Sequence, residues 1–295
     1  MAQAWMKIGT RGSPLALAQA HETRRLLAAA HGIPEDQIEI VIIKVMGDQI
    51  LDRPLSEAGG KGLFTKEIDE ALLEGRVDIA VHSMKDLPTA LPKGLAVAAV
   101  LPREDPSDVL IADPEIERLA DLPKGASVGT SSPRRKAQLL ARRPDLTVVE
   151  LRGNVETRLR RIAQGRAQAT LLALAGLRRL GLVEHTRIVL PVEEMLPAAA
   201  QGAVGVECRD ADTQVRDWLA PLHSPTAGHE IAAERAVLDG LGGSCRTPIA
   251  ALARDRTFGR LRLDALVAKP DGYALLRTSR EGAVNDAEAM GRDAA

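Results

Sequence analysis

Two passages of this chain leave an apolar run through a glycine turn and enter a helical pattern at Ser-Pro. They are Gly9-Thr10-Arg11-Gly12-Ser13-Pro14 and Gly129-Thr130-Ser131-Ser132-Pro133. In each, serine is a helix N-cap and proline takes the first helical position, where its missing N–H is unpaired in any helix. A strand that feeds a helix through so short a turn builds α/β layers. The rest of the chain agrees. Apolar runs near 5–9, 38–45, 77–82 and 95–101 alternate with helical patterns over 14–30 and 63–73, the first stopped by Gly32. A second series has strands near 109–112, 127–129, 147–151, 169–173 and 188–190, with helices near 133–142, 155–164 and 177–180. Between the two series, residues 102–108 (PREDPSD) have the polar, proline-rich composition of an interdomain hinge. The alternating run 205–208 reads as a strand that returns to the first lobe.

The last part differs. A helical pattern over 227–238 leads into a glycine-rich loop, 240–248, and then into strands near 249–253, 260–268 and 273–279. Pro270-Asp271-Gly272 is the hairpin turn between the last two. The expected fold is therefore α/β, with two lobes and a smaller α+β third domain containing an antiparallel sheet. The chain's 295 residues suffice for such a core. Its last residues, NDAEAMGRDAA, start a helix that stops after about two turns, which reads as a shortened C-terminus.

Charge is uneven. The net charge is -1, yet residues 130–161 carry Arg134, Arg135, Lys136, Arg142, Arg143, Arg152, Arg158, Arg160 and Arg161 against three acids. Guanidinium groups grip carboxylate or phosphate through paired hydrogen bonds, so the run is expected to bind anions. Arg134 and Arg135 lie at the helix start beside three hydroxyls and are expected to face that anion. Arg142, Arg143, Arg160 and Arg161 are expected to be solvated bystanders. The near-neutral total and five aromatic residues argue against a nucleic-acid partner. No run of 18 apolar residues suggests a membrane span, and the start, MAQAWMKIGTRGS, lacks a secretory pattern. With two cysteines and no disulfide framework, a cytoplasmic location is expected.

Few residue types remain for chemistry. Cys208, in the alternating run VGVEC, is expected to be buried, whereas Cys245 lies in the glycine-rich loop beside Arg246, where a thiol can be exposed. His82-Ser83-Met84-Lys85-Asp86-Leu87-Pro88 follows a strand, at the end where open α/β sheets place ligands. There Asp86 is either a lone carboxylate for a cation or proton, or half of a surface pair with Lys85. Gly59-Gly60-Lys61-Gly62 lacks the spacing of a phosphate-binding P-loop, and the six histidines show no metal-ligand spacing.

Eight stretches, RGSPLALAQ, GGKGLFTKE, HSMKDLPT, GTSSPRRKAQL, LRGNVETRL, LALAGLRRLG, PAAAQGAVGVECR and GGSCRTPI, occur in the order found in the porphobilinogen deaminase (hydroxymethylbilane synthase) family. The resemblance runs from about residue 7 to 290. It implies two periplasmic-binding-protein-like lobes and a cofactor-bearing third domain, here 1–101 with 202–220, 107–197, and 224–295. It also implies a monomeric transferase that joins four porphobilinogen molecules head to tail, with loss of ammonia, and frees the linear tetrapyrrole by hydrolysis. The growing chain would start on a dipyrromethane cofactor, a primer held by a thioether to Cys245. Asp86 would be catalytic, stabilising the azafulvene-type cation. Ser83, Lys85, Thr130, Ser131, Ser132, Arg134, Arg135 and Arg158 would hold the cofactor. Arg11, Ser13, Arg152, Arg158 and Arg179 would bind the substrate's carboxylates, and Lys61 and Phe64 belong to a mobile loop. No metal is implied. Glu57 departs from members with lysine there, and Arg246-Thr247 is a variable site. A non-enzymatic two-lobe anion receptor would explain the arginines but not Asp86 together with a loop cysteine.

Overall fold

The alternation of strand and helix persists in the computed structural model, which describes residues 4–49, 63–244 and 247–295. The chain runs β1 (Met6–Thr10), α1 (Pro14–His31), β2 (Ile38–Ile42), α2 (Met46–Gln49), α3 (Lys66–Leu73), β3 (Ile79–Ser83) and β4 (Leu95–Val100). It continues through β5 (Asp108–Ala112), β6 (Ser127–Gly129), α4 (Pro133–Arg142), β7 (Thr147–Val149), α5 (Val155–Ala163), β8 (Ala169–Ala173), α6 (Leu174–Arg179) and β9 (Ile188–Val189). The remaining elements are β10 (Val204–Arg209), α7 (Thr213–Leu219), α8 (Pro225–Gly240), β11 (Ile249–Arg256), β12 (Arg260–Ala268), β13 (Leu275–Ala283) and α9 (Ala287–Ala294).

Residues 1–103 and 203–228 form one compact unit, and residues 104–202 and 229–295 form another. The first unit holds a five-stranded sheet in the order β2-β1-β3-β10-β4. β1 is parallel to β2 and β3, and β10 runs antiparallel to β3 and β4. Helices cover both faces of this sheet. On one, Ala20 and Leu27 of α1 and Leu219 of α7 pack on Ile8, Ile79, Val81 and Val206. On the other, Ile68, Ala71 and Leu72 of α3 pack on Ala80, Val77 and Leu95. Helix α1 starts and stops where its residues dictate. The Ser13 hydroxyl caps it, Pro14 opens it, and Gly32 ends it in a left-handed conformation with φ 64°.

The second unit repeats that arrangement in β7-β6-β8-β5-β9, with β6 parallel to β7 and β8, and β5 antiparallel to β8 and β9. In both sheets the antiparallel strand, fourth in the order, begins within a few residues of the point where the chain passes from one unit to the other: β5 follows Glu104, and β10 follows Ala203. The second unit also holds the antiparallel sheet β11-β12-β13. Its core is separate, with Ala233 and Val237 of α8 and Met290 of α9 packed on Ala251, Ala253, Leu261 and Leu263. Buried Glu234 ties α8 to its surroundings, accepting the N–H of Ala253 at 2.8 Å and that of Ala200 at 2.6 Å. Gly272, in the predicted hairpin turn, has φ 75°, and a Cβ there would lie 2.6 Å from the Ala137 carbonyl oxygen of α4. The turn therefore needs glycine twice over, for its dihedral and for its seat on α4.

Two sequence expectations shift. The helix expected at 177–180 begins at Leu174, directly after β8. The last strand begins at Leu275 and not at Tyr273, whose N–H is held by Asp271 Oδ1 in the turn. Among the described residues, no helix is long and apolar enough to cross a membrane.

Candidate active site

Adjacent parallel strands release their loops at the same sheet edge, and each unit gathers its candidate residues there. In the first unit, β1 supplies Arg11 and Ser13, and β3 supplies Ser83, Lys85 and Asp86. Ser13 Oγ accepts the Ala16 N–H at 3.3 Å, so this hydroxyl is used in capping α1. One turn further, Gln19 is buried and donates its Nε2 to Ser83 Oγ at 2.9 Å, tying α1 to the end of β3. Asp86 closes a single 3-10 turn, Met84–Asp86, that is anchored by the Met84 N–H donating to the Ala203 carbonyl at 3.0 Å. Arg11 Nη1 lies 3.8 Å from Asp86 Oδ2, with the two side chains 20% and 35% exposed. The same guanidinium sits 4.3 Å from the ring centroid of Phe64. The structure thus brings Asp86, still partly exposed, to the Arg11 guanidinium.

In the second unit, β6, β7 and β8 are parallel neighbours. The segments that follow them carry Thr130, Ser131 and Ser132, then Arg152 in a loop and Arg158 in α5, then Arg179 at the end of α6. The hydroxyls are locally ordered. Thr130 Oγ1 accepts the Ser132 N–H at 3.2 Å, Ser131 Oγ donates to the Leu151 carbonyl at 2.9 Å, and Ser132 caps α4. The Ser131 bond binds the β6 loop to the β7 loop just before Arg152. Arg152 Nε lies 3.9 Å from Glu150, Arg158 Nε donates to the Gly153 carbonyl at 2.9 Å, and Arg179 Nη1 donates to the Gly202 carbonyl at 3.0 Å.

Arg134 and Arg135 depart from expectation. Their residues are only 4% and 5% exposed, so they are not an exposed anion wall. Asp108, fully buried at the start of β5, receives Arg134 Nη2 at 2.8 Å and Arg135 Nη2 at 2.7 Å. Gln201 Nε2 adds a third donor to Asp108 at 2.8 Å. Arg134 Nη1 also donates to the Leu196 carbonyl and Arg135 Nη1 to the Leu171 carbonyl, at 2.7 and 2.8 Å. Burial alone would raise the Asp108 carboxyl, but the two guanidiniums overcome it and hold that carboxyl well below the ordinary range. Burial lowers the Arg134 guanidinium, although Asp108 opposes this.

Three of the expected bystanders also have duties. Arg143 pairs with Asp145 at 2.7 Å and donates to the Leu119 and Leu122 carbonyls at 3.2 and 2.9 Å. Arg142 donates to the Glu193 and Glu194 carbonyls, and Arg161 Nη1 to the Arg152 carbonyl at 3.0 Å. Arg160 is exposed, as expected. Cys208 is buried in β10, where desolvation pushes its thiol up to about 11. Lys61, Glu57, Cys245 and Arg246 lie outside the described residues. Among the described residues, no group of three or more His, Cys, Asp or Glu side chains is placed to hold a metal. The sequence reading missed Asp108 and Gln201. The signal for Asp108 was a lone acid at the mouth of the apolar run VLIA.

Comparisons with known proteins span most of the chain. The family description "Porphobilinogen deaminase, dipyromethane cofactor binding domain" matches residues 6–217, and "Porphobilinogen deaminase, C-terminal domain" matches residues 229–295. The porphobilinogen deaminase of Paracoccus denitrificans (strain Pd 1222) is 52% identical over 290 residues, covering 98% of this chain and 92% of the relative. The chloroplastic porphobilinogen deaminase of Oryza sativa subsp. japonica is 54% identical over 279 residues, covering 94% and 78%. Among solved structures, a periplasmic binding protein from Brucella ovis with glutathione bound aligns at TM-score 0.45 and 14% identity, covering 81% of this chain and 69% of that one. Two family models that together span most of the chain, and identity above one half over nearly all of it, leave one assignment: this chain belongs to the porphobilinogen deaminase family.

Proposed function

We propose that Asp86 carries the chemistry of this family here and that Cys245 holds the primer. The chain polymerises porphobilinogen head to tail to hydroxymethylbilane, in tetrapyrrole biosynthesis, and uses a dipyrromethane cofactor. Thioether attachment at Cys245 is favoured over Cys208, because Cys208 is a buried, poorly ionised thiol inside β10. The domains are read as 1–101 with 202–220, 107–197 and 224–295, in a monomeric cytoplasmic enzyme.

The donors present fit a group bearing several carboxylates. Hydroxyls and guanidiniums lie on the segments that follow β6, β7 and β8, and both are hydrogen-bond donors to anionic oxygen. When bound, the dipyrromethane supplies the free pyrrole α-carbon onto which the first substrate is joined. Ser83, Lys85, Thr130, Ser131, Ser132 and Arg158 hold its acid arms. Arg134 and Arg135 belong to that group by motif. Their role is set from behind: two guanidiniums against the single Asp108 carboxylate leave a net positive charge beneath the hydroxyls. Arg11, Ser13, Arg152, Arg158 and Arg179 take the carboxylates of incoming porphobilinogen, and Lys61 and Phe64 belong by motif to the GGKGLFTKE stretch.

Each addition replaces a carbon–nitrogen bond with a carbon–carbon bond. Ammonia leaves the substrate's aminomethyl carbon, positive charge develops on its pyrrole, and the free pyrrole α-carbon that attacks this methylene then loses its proton. A carboxylate held near the pyrrole N–H stabilises that charge, and Asp86 is oriented for this by Arg11. The 3.8 Å approach of Arg11 to Asp86 at the strand ends is the observation that carries the reading. Asp86→Asn keeps the shape and removes the charge. It should load cofactor yet lose about 10²–10³ in kcat, and near-normal turnover would return Asp86 to a surface role.

A further inference from the structure

Behind the turn that carries Asp86 lies a group of buried polar side chains that the chemistry above does not use. On β3, His82 immediately precedes Ser83, and on β10, Glu207 sits diagonally across from it, since Gly205 pairs with His82 and Glu207 with Ala80. His82 Nε2 and Glu207 Oε2 are 3.3 Å apart, with their side chains 5% and 0% exposed. The apolar side chains of the face they share are Val45, Ile68, Leu72, Val77, Ala80 and Leu95, with buried Thr65 at its edge. Asp69 enters the same face from α3 and is also buried. Burial first, and the Glu207 charge second, push its carboxyl up to about 6, while His82 opposes the rise. Both Glu207 oxygens, His82 Nε2 and Asp69 Oδ1 have no aligned hydrogen-bond partner among the described residues. Charged groups placed in such a setting cost stability, so a core built only to fold would be served as well by apolar residues.

Their connections point to the site. Glu207 belongs to the strand that starts at Val204, next to Ala203, whose carbonyl anchors the Met84 N–H of the Asp86 turn. Asp69 belongs to the helix that follows Phe64, the ring beneath Arg11, which in turn reaches Asp86. We propose that His82, Glu207 and Asp69 form a positioning network that fixes the Ser83–Asp86 turn from behind, so that Asp86 is held at its working angle. They touch neither substrate nor cofactor and act through Asp86. The inference rests on the reading of Asp86 as the catalytic carboxylate.

A double-mutant cycle between Glu207→Gln and Asp86→Asn tests this, with cofactor loading checked by intact mass in each variant. Glu207→Gln should load normally, keep KM within about twofold and lower kcat about tenfold, the size of coupling seen between residues sharing a network. In the Asp86→Asn background the same substitution should change kcat by less than about twofold. An unchanged kcat in loaded Glu207→Gln, or an equal loss in both backgrounds, overturns the proposal and leaves Asp86 catalytic. If Asp86→Asn alone turns over normally, both readings fail. Should Glu207→Gln not fold, His82→Gln enters the same cycle with the same expectations.

Discussion

Asp108 and Arg135 meet at 2.7 Å inside the second unit, and neither side chain reaches solvent to any useful extent. The contact joins the first residue of β5 to the first turn of α4, and Arg134 doubles it. Gln201 brings in the segment just before the chain leaves this unit, through Asp108 and through the Pro106 carbonyl at 2.7 Å. Both places where the chain enters and leaves are thus tied to the helix that carries the hydroxyl cluster.

Asp108→Asn should therefore destabilise by about 3–5 kcal/mol, because two buried guanidiniums lose their counter-charge. The pH dependence has a definite sign. The folded carboxyl is depressed below its unfolded value near 3.9, so its contribution is complete above about pH 4 and disappears as pH falls through the folded value. Urea unfolding should show stability falling more steeply below about pH 4 in the wild type than in Asp108→Asn. Parallel curves would mean that Asp108 is not charged in the folded protein.

Arg152 and Arg160 lie eight positions apart yet should answer differently to the same change. Arg152 lies in the loop after β7, held by Ser131 and Arg161, whereas Arg160 is exposed on α5. Arg152→Leu removes a charge-assisted bond worth about 1.5–3 kcal/mol, so KM for porphobilinogen should rise roughly 10–100-fold. Arg160→Leu should stay within about 0.5 kcal/mol in stability and leave KM unchanged. Equal KM values would remove Arg152 from the substrate's binding set.

What the sequence made legible was local. Ser13-Pro14-Gly32 and Ser132-Pro133 bracket their helices because caps and stops are decided by neighbours in the chain. Arg134 and Arg135 misled because helix position says which way the helix N-terminus points, not what awaits the side chain. Their partner, Asp108, arrives on an antiparallel strand from another part of the chain. Glu207 went unread for a different reason. Strand alternation puts it opposite buried Val206 and Cys208, which in a one-sided sheet means solvent. Here helices cover both faces, so the alternate positions are buried as well. Nothing in VGVEC announces that second layer.

Cys208 should be a bystander to chemistry. Its thiol is buried and pushed up to about 11, so alkylation of native protein at pH 8 should leave it unmodified until the fold is opened. Cys208→Ala should cost about 1 kcal/mol, load cofactor and retain kcat. Loss of cofactor in a folded Cys208→Ala protein would reverse the assignment of the two cysteines.

The most direct test of the whole account is a mass measurement. Purified protein is mixed with limiting porphobilinogen, quenched, and read as intact chain and as peptides. The account predicts a starting mass that includes dipyrromethane and a ladder of heavier species, each one pyrrole unit above the last. All of them should map to the peptide containing Cys245 and vanish in Cys245→Ser. A ladder on the Cys208 peptide, or hydroxymethylbilane formed at normal rate by Cys245→Ser, would contradict it.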